Sequence, residues 1–174
     1  LSTVFVFLVI INAINFIDGI DGLAISEVIK TILLIEFFSA SETALTPIAL
    51  LLILSILPLY YFNFKKEHKV FLGDGGSLLL GTMVSIYIFY VLGNEYKFQE
   101  GFQINKTLFV VLIIMYPLVD LLRVFVLRIK NGDSPFKPDK KHLHHILINK
   151  GFSHFTTTIT LLLFNLIIFV LLWI

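Results

Sequence analysis

The residues able to do chemistry gather in three short stretches of the 174-residue chain. The first reads NAINFIDGIDGLA, from Asn12 to Ala24. Asp18 and Asp21 stand three residues apart, each followed by glycine, with Asn12 and Asn15 about one turn earlier. Glycines permit a tight turn and close backbone approach, and carboxylates offer hard oxygens suited to Mg²⁺, a base or a ribose. A plain polar turn is the alternative. The second stretch, Val70-Phe71-Leu72-Gly73-Asp74-Gly75-Gly76-Ser77, sets three glycines around Asp74. With Ser77 as the predicted N-cap, it would place backbone N–H groups and a helix N-terminus beside a carboxylate, an arrangement that attracts phosphate. It lacks the GK[ST] of a Walker loop, and a helix-capping turn would look the same. In the third stretch, Ser134 to His145, a basic run leads into His142, His144 and His145. Imidazoles supply donors and a charge that switches near neutral pH, so phosphate contact is expected. Zinc is the rival, but the chain has no cysteine and no HExxH.

Something must hold these stretches together, and composition says what. Hydrophobic residues make up 57% of the chain and charged ones 14%, with a mean hydropathy of +0.94. Soluble domains carry about 25% charged residues. The apolar residues form six blocks: 1 to about 15, 23–38, 47–62, 77–92, 107–127 and 157–174. Each is predicted to be a transmembrane helix, since about 20 apolar residues cross a bilayer and irregular backbone is not tolerated against lipid. The fold class is therefore all-α, a polytopic membrane bundle, with residues 1–174 as one transmembrane domain. The chain opens on Leu1 inside an apolar run without a basic n-region, so it reads as starting partway through a helix rather than with a signal peptide.

Basic residues in short loops stay cytoplasmic. Lys65, Lys66 and Lys69 follow the third block, and Arg128, Lys130, Lys137, Lys140, Lys141 and Lys150 follow the fifth. The loops between hold only Lys97 and Lys106 against Glu42, Glu95 and Glu100. Alternation then puts residues 16–22, 63–76 and 128–156 on the cytoplasmic face, and these segments carry nearly all the motif chemistry. Within the spans, Asp120 with Arg123 and Glu27 with Lys30 are spaced to pair along one helix face and read as structural. His68 and His154 read as loop residues. Tyr60, Tyr61, Tyr87 and Trp173 read as interface aromatics or packing.

The blocks NAINFIDGIDGLA, FNFKKEHKVFLGDGGSLLLG and PLVDLLRVFVLRIKNGDSPFKPDKKHLHHILINKGF resemble, in order, the polyprenyl-phosphate N-acetylhexosamine-1-phosphate transferases, relatives of the phospho-N-acetylmuramoyl-pentapeptide transferase. PD ahead of HLHH looks like the branch that uses UDP-N-acetylglucosamine or a similar amino sugar. The resemblance implies transfer of an N-acetylhexosamine 1-phosphate from a UDP-sugar to undecaprenyl phosphate, with release of UMP, in the bacterial inner membrane. It implies Mg²⁺ (or Mn²⁺), an active site on the cytoplasmic face, no nucleic acid partner, and leaves a homodimer open. By position, Asp74 and Asp21 would hold the metal, with Asp18 shaping the site. Phe71 would stack on uracil and Asn63 would contact the nucleoside. His142, His144 and His145 would meet the donor's phosphates or sugar, helped by Arg128, with Asn12 and Asn15 nearby. Two departures stand out. Lys66-Glu67-His68 replaces the family's Pro-Ala pair, and the paired-aspartate motif of an earlier loop is absent, so this stretch alone is expected to be inactive. A transporter, a non-catalytic metal-binding scaffold and the muropeptide-transferring branch are the competing readings.

Overall fold

The computed structural model describes residues 1–65, 67–135 and 139–173. Lys66, Phe136, Lys137, Pro138 and Ile174, which enter the expectations above, lie outside the described residues. Eight helices follow in order among the described residues: α1 (Ser2–Ile17), α2 (Leu23–Phe37), α3 (Thr46–Phe64), α4 (Gly73–Leu92), α5 (Lys106–Ile113), α6 (Met115–Lys130), α7 (Leu143–Asn149) and α8 (His154–Trp173). The bundle is all-α, as the composition requires, but the six expected spans are unequal. α3, α4 and α8 are long and apolar enough to cross a membrane. α1 is apolar but only 16 residues long, and α2, at 15 residues, carries Glu27, Lys30 and Glu36.

The predicted continuous span over 107–127 is instead broken, with α5 and α6 meeting at 73°. Pro117 supplies the reason. It has no N–H to give the Ile113 carbonyl, and its ring clashes with that group in a straight helix. The kink leaves buried backbone near the break, and α8 meets it: Asn165 Nδ2 donates to the Leu112 carbonyl at 3.1 Å. Asn165 Oδ1 in turn accepts from Lys30, which also pairs with Glu27. The two pairs read from spacing, Glu27–Lys30 and Asp120–Arg123, both form.

α2 is enclosed along most of its length, while α3 buries only Ala49, Ile56 and Asn63 and lies at the periphery. α1 packs most extensively against α4. Gly81 permits the approach, because a Cβ there would stand 2.9 Å from the Ile11 Cα. Among the described residues, one end of the bundle gathers residues 18–22, 65, 67–72, 131–135 and 139–142 with α7 and the start of α8. The other end is sealed by aromatic rings. Phe38 stacks on Phe102 at 4.1 Å, Phe102 lies 4.4 Å from Trp173, and Phe98, Phe109 and Phe169 complete the cluster. Loops 39–45 and 93–105 pair there through Ala40 N–H to Lys97 O and Gln99 N–H to Phe38 O. Tyr87 is packing, its hydroxyl donating to Leu45 O at 2.8 Å.

Candidate active site

The turn joining α1 to α2 is held from three sides. Asp18 ends α1, its N–H donating to Asn15 O at 3.1 Å. Gly22 opens α2 at φ 70°, a left-handed conformation natural to glycine. Its N–H donates to Asn63 Oδ1 at 2.5 Å, and Asn63 Nδ2 donates to Val70 O at 2.9 Å. The buried Asn63 amide therefore ties the turn to the loop after α3. On the other side Thr158 Oγ1 donates to Asp21 O at 2.9 Å. Asp21's carboxylate pairs with Lys69 at 2.5 Å and His154 at 3.0 Å. Lys69 also lies 5.2 Å over the ring of Phe71, which is 68% exposed.

α4 starts earlier than the sequence suggests. Its first residue is Gly73, at φ 67°, with Leu72 as N-cap and Asp74 in the first turn. The glycine cluster is thus the first turn of the helix itself, and Ser77 is not the N-cap. The Ser77 hydroxyl is buried in the helix, within reach of Asp74 O (3.2 Å) and Asn15 Oδ1 (3.3 Å). That contact sets the end of α1 beside the start of α4, and Asp18 beside Asp74. Burial, and then the charge of Asp74, push the Asp18 carboxyl up to about 7.

The histidines reach the same end from the far part of the chain. A Cβ on Gly19 would lie 2.4 Å from His144 Nε2, so His144 sits directly on the backbone of the aspartate turn, 125 residues away in sequence. His144 is fully buried, and burial with its histidine neighbours lowers its pKa to about 3, so it is neutral. His142 stacks on His144 with centroids 5.6 Å apart and lies 5.7 Å from Phe16 of α1. His145, 4.2 Å from His144, is partly exposed, and burial followed by the neighbouring His142 and Lys140 lowers its pKa. Asp120 organises the group. Its Oδ2 meets His142 Nδ1 at 2.9 Å, while Oδ1 accepts from Arg123 at 2.8 Å and from the Leu143 N–H at 3.0 Å.

Arg128 is buried and committed, its Nε donating to Asp139 at 2.8 Å and Nη1 to Pro135 O at 2.6 Å. That contact holds Asp139 below the usual carboxylate range. Asn12 is exposed and donates to Leu8 O within α1.

Among the described residues no group of three or more histidine, aspartate or glutamate side chains is placed to cage a metal. The donors present suit a hard cation that keeps waters and substrate oxygens in its shell, held by one or two carboxylates. Asp18 and Asp74 stand close enough for the charge of Asp74 to add to burial in raising the Asp18 carboxyl. Asp21 instead faces two basic side chains.

The profile of the family "Glycosyl transferase family 4" matches residues 1–92. This stretch holds the aspartate turn, the Asn63 clamp and the Asp74 helix start. The chain belongs to glycosyl transferase family 4.

Relatives of this family 4 chain extend the likeness through the histidine segment. It is 36% identical over 160 residues to the decaprenyl-phosphate N-acetylglucosaminephosphotransferase of Mycobacterium leprae (strain TN), covering 83% of this chain and 40% of that protein. It is 32% identical over 157 residues to the undecaprenyl-phosphate alpha-N-acetylglucosaminyl 1-phosphate transferases of Yersinia pestis and Escherichia coli (strain K12), covering 87% of this chain and 41% of each. The family 4 chain thus spans about 40% of the length of these relatives. No solved structure matches it.

Of the residues singled out in sequence, Asp18, Asp74, Asn15, His142, His144 and His145 converge at one end of the bundle, with Asp21, Asn63 and Phe71 around them. Asn12 stands apart on α1. Sequence reasoning missed Asp120, Lys69 and His154. Asp120 was legible as a partner of Arg123, but nothing in the spacing linked it to His142, 22 residues on.

Proposed function

We propose that the protein moves an N-acetylhexosamine 1-phosphate from a UDP-sugar onto a polyprenyl phosphate, releasing UMP at the cytoplasmic face and starting a cell-envelope glycan. The observation that carries this reading is the meeting of the 18–22 turn, the first turn of α4 and the α7 histidines at one helix-end face. Relatives named for phosphotransfer to decaprenyl and undecaprenyl phosphate support the substrate class.

Phosphoryl transfer asks chiefly for positioning and for neutralised charge. Asp18 and Asp74 would hold Mg²⁺, which when bound supplies a Lewis acid for diphosphate oxygens. The α4 N-terminus, with N–H groups unpaired in its first turn, favours phosphate beside them. Phe71, exposed, offers a ring face to the uracil. The charge of Lys69, over the ring of Phe71, favours the nearby phosphates, and Asp21, itself paired with His154, holds that lysine in place. Asn63 fixes the turn against the loop through one bond at each end of its amide, which leaves one N–H and one lone pair for the nucleoside. A polyprenyl chain stays in the bilayer and the nucleotide arrives from water, so helix ends at the headgroup level serve both. Phosphate oxygen of the lipid then attacks the sugar-linked phosphorus directly.

The test is UMP release by the complete gene product from UDP-N-acetylglucosamine and undecaprenyl phosphate, with and without Mg²⁺. Asp74→Asn is expected to lower the rate by about 100-fold or more, the scale of losing a charge-stabilising group. Absence of UMP release with every UDP-amino sugar tried would overturn the reading.

A further inference from the structure

The Asp120 carboxylate has its two oxygens in different employment. Oδ1 takes two hydrogen bonds, from Arg123 Nη2 and the Leu143 N–H, and Oδ2 faces His142 Nδ1 at 2.9 Å. An ionised carboxylate only accepts hydrogen bonds, so the proton of a neutral His142 must sit on Nδ1. The same anchor fixes the ring's position, because the Leu143 N–H belongs to the first residue of α7, whose N-cap is His142. Two further rings, Phe16 and His144, pack against it. Charged or titratable groups facing this ring are Asp120 and Arg123 from α6, His144 and His145 from α7, and Asp139 from the preceding loop. Arg123 is itself tied to the Lys141 carbonyl as well as to Asp120, so α6 grips the residues on both sides of His142.

We propose that Asp120 is a positioning residue that pins the His142 proton on Nδ1, so that Nε2 is the proton-exchanging atom the histidine cluster offers to phosphate. This deepens the proposed sugar-1-phosphate transfer and rests on it. In the step assigned here, the Nε2 lone pair takes the proton from the O–H of a monoprotonated acceptor phosphate. The phosphate oxygen keeps the electron pair and becomes the attacking dianion. The imidazolium formed is balanced by Asp120, which stays ionised, and Nε2 returns its proton to water after product leaves. His144, neutral and wedged on Gly19, acts as spacer, while Nε2 of His142 carries the exchange.

Asp120→Asn makes the sharp test. Its single carbonyl oxygen would keep Arg123 and Leu143, leaving an NH₂ group to face His142. Nδ1 must then accept, and the proton is forced onto Nε2. ¹⁵N spectra of histidine-labelled complete protein, with the His142 signals assigned through their loss in His142→Gln, read the tautomer without any need for activity. Wild type is expected to show Nδ1 protonated in the neutral form, and Asp120→Asn to show Nε2 protonated. With UDP-N-acetylglucosamine and undecaprenyl phosphate, the variant is expected to lose about 100-fold or more in kcat, the scale of general base catalysis. KM for the sugar nucleotide should stay within about threefold, and the acid limb of the kcat–pH profile should vanish. Wild type with its neutral proton on Nε2 overturns the inference, even if the variant fails to fold. So does an Asp120→Asn protein with a reversed tautomer and wild-type kcat. If no UMP is released by wild type, the transfer reading fails while the tautomer result still decides the role of Asp120.

Discussion

Gly19 shows how tightly individual residues are constrained. Any Cβ at this position would strike the His144 ring at 2.4 Å, and that ring is fully buried. Gly19→Ala should therefore push α7 away from the aspartate turn. The expected result is a drop of about 10-fold or more in UMP release, with a loss of roughly 1–3 kcal/mol in stability typical of overpacking. Thermal unfolding and turnover of the same preparation check both. Asp18 makes a second case. Its carboxyl is raised to about 7, first by burial and then by Asp74, so between its ordinary value and about 7 the folded protein binds more protons than the unfolded one. This contribution to stability is present in acid and is lost as pH rises through about 7. Chelator-treated Asp18→Asn should gain on wild type in melting temperature as pH goes from 5 to 8, since it removes the buried charge. A constant difference across that range would refute the assignment. Added Mg²⁺ should narrow the gap at pH 8, because a cation between Asp18 and Asp74 relieves their repulsion.

Among the elements, the broken α5–α6 pair depends on a polar link that crosses the bundle. Lys30 is held by Glu27 of its own helix and by Asn165 of α8, and Asn165 also satisfies Leu112 O beside the break. Glu27 is fully buried. Removing one member of a buried ion pair leaves an uncompensated charge, a loss of about 3–5 kcal/mol, whereas replacing both can be far milder. Lys30→Met is thus expected to destabilise strongly, and Glu27→Gln with Lys30→Met to recover much of the loss in denaturant or thermal titrations. The α1–α4 crossing has a simpler basis. Gly81 lets the Ile11 backbone come within contact, and Asn15–Ser77 rests on that approach. Gly81→Val should separate the helices and weaken the Asp18–Asp74 pairing along with stability.

The molecule as a whole is asymmetric across the bilayer. Among the described residues, one end carries the aspartates, histidines and most lysines, and the other is closed by six aromatic side chains from Phe38 to Trp173. A transporter alternates access to both sides of a midplane site, and that closed aromatic end fits poorly with such a path. At depth, Lys30, Glu27 and Asn165 are linked to one another. Since the chain has no cysteine, single cysteines can report the orientation. Lys140→Cys should react with a membrane-impermeant maleimide only in inverted vesicles, and Glu100→Cys only in right-side-out ones. The reverse pattern would put the site on the wrong side for a cytosolic nucleotide.

What the sequence by itself determined follows from solvent and local chemistry. Apolar blocks in a bilayer must be helical, glycine beside aspartate favours a turn, and unpaired lysines stay with water, so the all-α class and the three motif stretches were legible. The ion pairs Glu27–Lys30 and Asp120–Arg123 were legible too, because they lie one helical turn apart. Pro117 marked a possible kink, but tertiary structure decided how far the helix bends there, the place of Ser77 inside α4, and every long-range partner. Nothing local to Gly19 names His144, nothing near Asp21 names Lys69 and His154, and nothing in α6 names His142. Those pairings depend on how helix ends register when the bundle packs, and that registry is set by contacts such as Gly81 on Ile11 between elements far apart in the chain.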